Sequence, residues 1–270
     1  MIKRYLGVLF VCLCAFPVIA QERGTYHILS VTGNITDRKT NKALLIGDKV
    51  NLQTELQFGD LSDKAVLLSP SKVKYRLEMP ESSLTGQQLV VTSQKALQTV
   101  RSKSIQLQGT RGATVKMATE GVSVQALKAY FGADTFSIIG NTFKLPVASK
   151  DLANYKLVVR YEHPTGVNNI KTSDFTLSKS ALGVDDRFSE IKECFILLDD
   201  GKTVQPVTQI CLFFVDEDRL LKEFAALLTA LNIKKDNTPK TQILLKQYCL
   251  DIYGNIDQTS LNNVTNRFFE

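Results

Sequence analysis

The sequence predicts an exported α+β protein, and three observations carry that expectation. Between Tyr26 and Leu77, five or six short apolar runs alternate with turn residues, the pattern of antiparallel strands in a small sandwich or barrel. Strand-like runs return from Thr135 and end in the continuous apolar stretch Ile210–Val215. At Asp216-Glu217-Asp218 the period changes from strand-like to helical and stays helical to the end.

At 270 residues the chain exceeds the usual single-domain size, so two domains are expected. Hydrophobic residues make up 44% and charged residues 22%, ordinary values for a chain that buries a core. The formal charge is +6, and losing Lys3 and Arg4 with a leader lowers it to +4. A balance that mild does not point to nucleic acid or to a membrane surface.

Residues 1–20 have the three parts of a secretory signal. Lys3 and Arg4 form the basic start, Leu6 to Phe16 is apolar, and Val18 and Ala20 suit the positions before a cut at Gln21. Tyr5 to Ala20 is short for a span, which leaves an uncleaved anchor as the second reading. No membrane span is expected after cleavage, and the body is expected in the periplasm or outside the cell.

Residues 21–80 form the first predicted domain. Tyr26, Ile28, Val31 and Ile35 suit a strand bent at Gly33, and Gly47-Asp48 and Gly59-Asp60 are tight-turn pairs. Val73, Tyr75 and Leu77 alternate cleanly. Val31-Thr32-Gly33-Asn34-Ile35, Leu45-Ile46-Gly47-Asp48-Lys49-Val50, Ala65-Val66-Leu67-Leu68 and Tyr75-Arg76-Leu77 together resemble the FecR-like periplasmic domain. The chain departs from that pattern at Ser69-Pro70-Ser71-Lys72, where the family usually turns on Asp-Gly. The resemblance covers about a fifth of the chain and implies a non-catalytic interaction module of the cell envelope.

Residues 81–134 read as a polar basic linker or as edge segments. Between 91 and 130 six basic residues face Glu120 alone. Arg101, Lys103, Arg111 and Lys116 are the candidate contacts to an acidic partner. No aromatic residues interleave with them to stack bases, so nucleic acid is not an expected ligand.

Residues 135–270 form the second domain, with strands over 135–215 and helices over 216–270. Tyr155–Tyr161 and the stretch after His163-Pro164-Thr165-Gly166 predict one hairpin, and Asp199-Asp200-Gly201-Lys202 turns another. Asp216 to Asp218 open a helix whose face is Leu220, Phe224, Leu227, Leu228 and Leu231. Thr238-Pro239 caps the next helix, Gly254 stops it, and Thr259 or Ser260 is the expected cap of a last one. These helices are too apolar on one side to stand alone and should cover the preceding sheet.

The chemistry legible here is sparse. Cys194, Cys211 and Cys249 remain after the leader; a Cys194–Cys211 disulfide is open to them if their runs pair, and burial as small hydrophobes is the alternative. His163 with Cys194 or Cys211 is the one nucleophile–base pair worth naming, for a hydrolase of the envelope. Metal ligands do not cluster, Asp199-Asp200-Gly201 suits a turn better than a calcium loop, and no loop cradles phosphate, so no cofactor is expected. The leading expectation is therefore a non-enzymatic envelope protein that binds another protein or a cell-wall polymer. A Cys/His-dependent hydrolase and an anchored sensor-like subunit are its alternatives.

Overall fold

A computed structural model describes residues 24–80, 89–100, 117, 119–163, 166–172, 174–184 and 190–270, without the side chain of His163. The expected leader of residues 1–20 lies outside the described residues. The fold is α+β.

In the N-terminal part, β1 (Tyr26–Thr32), β4 (Lys49–Val50), β6 (Lys64–Leu68), β7 (Lys74–Glu78) and β9 (Leu97–Thr99) form one antiparallel sheet in the order β4-β1-β6-β7-β9. A second sheet runs β3-β2-β5-β8 from β2 (Ile35–Asp37), β3 (Lys42–Ala43), β5 (Glu55–Phe58) and β8 (Val90–Thr92). Both enclose one core that includes Ile28, Ile35, Leu56, Phe58, Leu67 and Leu77. The turns work as their residues require: Gly33 and Gly47 hold positive φ, and the Asp48 carboxylate accepts from Leu45 N–H.

Parts of the basic segment are ordered structure. Val90–Thr92 and Leu97–Thr99 add edge strands to both sheets, joined by the single turn α1 (Ser93–Ala96). Further on, α2 (Val124–Phe131) is a helix that the overall composition of 81–134 concealed. Ser123 caps it by accepting from Ala126 N–H, and it buries Leu127, Tyr130 and Phe131.

The second part is built on a sheet in the order β13-β12-β15-β16-β10-β17. Its strands are β10 (Thr135–Ile139), β12 (Lys156–His163), β13 (Gly166–Thr172), β15 (Glu190–Asp199), β16 (Val204–Val215) and β17 (Asn255–Ile256). The two predicted hairpins, β12–β13 and β15–β16, are antiparallel, whereas β10 runs parallel to both β16 and β17. A two-stranded ribbon of β11 (Thr142–Lys144) and β14 (Thr176–Ser178), between which the chain makes the single turn α3 (Ser149–Leu152), helps α2 close the core on one face of the sheet.

The C-terminal helices begin and end largely as their caps dictate. In α4 (Glu217–Leu231) Asp216 accepts from Arg219 N–H, and left-handed Asn232 ends the helix. Thr238 caps α5 (Pro239–Tyr253), and Gly254 terminates it at φ 77°. The last helix, α6 (Gln258–Phe269), is capped by Asp257, not by Thr259 or Ser260; the carboxylate accepts from Ser260 N–H and also from the Tyr130 hydroxyl. Ser260 is thus a donor to the cap.

These helices cover two sheets. Phe224, Leu228, Leu245, Tyr248 and Phe268 share a core with Phe213 and Val215 of β16, and equally with Leu29 of β1 and Val66 and Leu68 of β6. The helices are a middle layer between the N-terminal sheet and the six-stranded sheet.

Candidate functional site

The joint between the two parts starts from an irregularity in β1. Opposite β6, Ile28 pairs with Leu67 and Ser30 with Val66, so Leu29 is an extra residue in a bulge. A bulge resets which face alternate residues occupy. Before it, Tyr26 and Ile28 point into the N-terminal core; after it, Val31 does so, while Ser30 and Thr32 face the helices.

Two hydroxyls therefore meet Arg219, at the first turn of α4. Its Nη2 donates to Ser30 Oγ at 2.7 Å and to Thr32 Oγ1 at 2.9 Å, and its Nε donates to Glu223 Oε1 at 3.1 Å. Glu223 is fully buried, and its Oε2 accepts from the hydroxyls of Tyr248 at 3.0 Å and Tyr253 at 2.6 Å. Burial first, and the nearby Glu223 second, raise the pKa of both phenols, which stay protonated donors. Two further ion pairs cross the joint, Lys74 with Asp251, and Lys64 with Glu190 at 3.6 Å.

Beside this network lies a cavity of about 190 Å³. Its walls include Lys64 and Arg76 from the N-terminal sheet, Glu190, Cys211 and Phe213 from the other sheet, and Arg219. Past Arg219 a wider cleft of about 1040 Å³ continues along Thr32, Phe213 and Tyr253 to the acidic start of α4.

A second surface feature is the edge strand β13. It pairs with β12 over seven consecutive residues without a register shift, and among the described residues its other side carries no strand. The pair that closes the two-residue loop, His163 and Gly166, is hydrogen-bonded in such a hairpin, so Val167, Asn169 and Lys171 direct backbone N–H and C=O groups outward. Every other sheet edge among the described residues is two or three residues long. Edges of this length are usually blunted by proline, bulges or charge. Here the sole lysine, Lys171, is drawn onto Asp199 at 3.0 Å. Val167 is 58% exposed, and Phe195 on the adjoining face 38%.

The residues singled out from sequence fare differently. Arg101, Lys103, Arg111 and Lys116 lie outside the described residues, and so does the side chain of His163. Cys194, Cys211 and Cys249 are free thiols. Cys194 pairs with Ile210 and points into the core under the sheet, whereas Cys211, one residue along β16, faces the joint cavity. No bridge joins them, because neighbouring strand positions point to opposite faces. Burial pushes the Cys194 thiol up to about 12, the opposite of what a nucleophile needs. Cys211 is also raised, by burial and then by Glu190. Asp199 and Asp200 serve the turn: Asp199 accepts from Gly201 N–H, and Asp200 from Lys202 and Thr203 N–H. Among the described residues no three His, Cys, Asp or Glu side chains gather as metal ligands, and no helix is long and apolar enough to cross a membrane.

Sequence reasoning missed Lys64, Arg76 and Arg219, which look like ordinary solvated positions of strands and a helix. The signal for Arg219 was its place four residues before Glu223 on a helix start. No family model matches the chain, and neither a curated protein nor a solved structure matches it.

Proposed function

We propose that this chain is an exported, non-enzymatic binding protein of the cell envelope that docks another protein by strand addition at β13. The observation that carries the reading is the seven-residue, regular and uncharged-by-pairing edge of β13, flanked by exposed Val167 and Phe195. Strand addition draws affinity from the outward N–H and C=O groups and specificity from the alternate side chains beside them. The leader of residues 1–20 and the resemblance of residues 26–77 to the FecR-like periplasmic domain supply the envelope context. A protein partner fits better than a wall polymer, because a bare backbone edge is complementary to another backbone.

The test uses the full chain in its own cells with a photocrosslinking residue at Val167. A discrete protein adduct is expected, together with a mature N-terminus at Gln21. Asn169→Pro removes an outward backbone donor, leaves the backbone ladder to β12 intact and loses only the exposed side-chain bond that Asn169 Oδ1 accepts from Arg160 Nε at 2.7 Å. It should abolish the adduct while the circular dichroism stays unchanged. An adduct that survives Asn169→Pro would overturn strand addition.

A further inference from the structure

We propose that the joint cavity binds a small oxyanion group, a carboxylate or a phosphate, with Arg76 as its principal contact. The three cations on its wall are not equivalent. Arg219 is satisfied by Glu223, Ser30 and Thr32, and Lys64 by Glu190. Arg76 has neither a hydrogen bond nor an ion pair among the described residues, although it is half-buried on the cavity wall. A guanidinium carries five donors in a planar fork that matches carboxylate and phosphate oxygens, and removing it from water without an acceptor is costly.

The sheet fixes where that fork points. Arg76 sits opposite Val66 on β6 and follows Lys74, which is committed to Asp251 on the same face. Glu78, next on that face, does not line the cavity; the one acid that does among the described residues, Glu190, is held by Lys64. Among the described residues the charge left over at the cavity is the positive charge of Arg76. Cys211 and Thr135 line the cavity as well and place a thiol and a hydroxyl on its wall, and Phe213 and Ile252 give apolar flanks.

Size narrows the ligand. A water needs roughly 10–15 Å³, so about 190 Å³ admits an oxyanion head with waters beside it. The wider cleft beyond Arg219 shares Thr32, Phe213 and Tyr253 with the cavity, so a larger body attached to that head lies along it. The ligand class is a molecule with one anionic head on a bulkier body. This inference is independent of docking at β13.

The test titrates the full chain with sodium acetate and with inorganic phosphate, each against chloride at matched ionic strength. It follows, in every variant, the backbone amides of Val66 and Cys211 on the cavity wall and, in the wild type, the Arg76 Nε–H resonance. A saturable shift of these resonances is expected with at least one anion. The stronger of the two tells a carboxylate from a phosphate head. Arg76→Gln should weaken binding about tenfold or more, while Arg76→Lys keeps the charge, loses the fork, and falls between. Lys240→Gln, exposed at the far end of α5 and outside the cavity lining, should bind like the wild type. No saturable shift with either anion, or equal affinity in folded Arg76→Gln, would overturn the proposal.

Discussion

Arg219 and Glu223 stand one turn apart on α4, and their contact of 3.1 Å is the point through which the helix layer grips β1. Glu223→Leu strips the guanidinium and two phenols of their shared acceptor. Breaking a buried pair from one side costs about 3–5 kcal/mol, and a loss of that size is expected in urea unfolding. Arg219→Met together with Glu223→Leu should recover only the share due to the uncompensated charge, since the Tyr248 and Tyr253 hydroxyls still lack their acceptor. A double variant no more stable than the single one would show that the hydroxyl contacts of Ser30 and Thr32, rather than the ion pair, hold the joint.

Stability should fall on the alkaline side. Burial raises the pKa of Tyr130, Tyr248, Tyr253, Cys194 and Cys249 in the folded chain. Below the ordinary values of 9.0 for a thiol and 10.0 for a phenol both states keep these protons, and stability is full. Above them the unfolded chain releases protons that the folded chain retains, so unfolding gains up to about 1.4 kcal/mol per pH unit and per group. The urea midpoint should be level between pH 7 and about 8 and drop steeply from about 9 upward. A level midpoint to pH 11 would contradict the burial of these groups.

The thiols should separate by reactivity. Cys211 opens onto the cavity, whereas Cys194 and Cys249 are buried and their thiols are raised further from neutral pH. Iodoacetamide should modify Cys211 first and the other two only on unfolding, with the Cys211 rate rising as pH rises, because the thiolate is the reactive form. Peptide mass spectrometry after timed quenching reads this directly.

Gly33 and Gly47 offer a matched comparison. Both have positive φ, 81° and 94°, but a Cβ on Gly33 would strike the Asp63 carboxylate, whereas one on Gly47 meets nothing. Asp63 cannot retreat without losing the bonds it accepts from Gly59 and Asp60 N–H. Gly47→Ala should cost about 1 kcal/mol from backbone strain alone. Gly33→Ala should cost about 3 kcal/mol, strain plus the loss of those two bonds, measured by thermal unfolding.

Local chemistry made some elements readable in advance. Asp216 before the Leu220–Phe224–Leu227 face, Thr238-Pro239 at the next start, and Asp199-Asp200-Gly201 at the hairpin each carry their own instructions within a few residues. What escaped depends on partners far along the chain. Ile28 and Leu29 look like one apolar pair until β6 reveals the bulge between two cores. Nothing near Thr135–Ile139 says that it will run parallel to β16. In α2 the spacing of Leu127, Tyr130 and Phe131 behind Ser123 was present, but the basic average of its surroundings hid it. Arg76 reads as a solvated strand residue, and only the approach of the second sheet turns its exposed face into a wall.

The contact between Ser30 and Arg219 spans 189 residues of sequence. At typical elongation rates of about 5–20 residues per second, α4 leaves the ribosome about 10–40 s after β1. Throughout that interval the apolar side formed by Leu29, Val66 and Leu68 has no cover of its own. The N-terminal strands thus carry an uncovered apolar face until the last third of the chain is made, and slowed synthesis of that third should raise aggregation before it affects the finished fold.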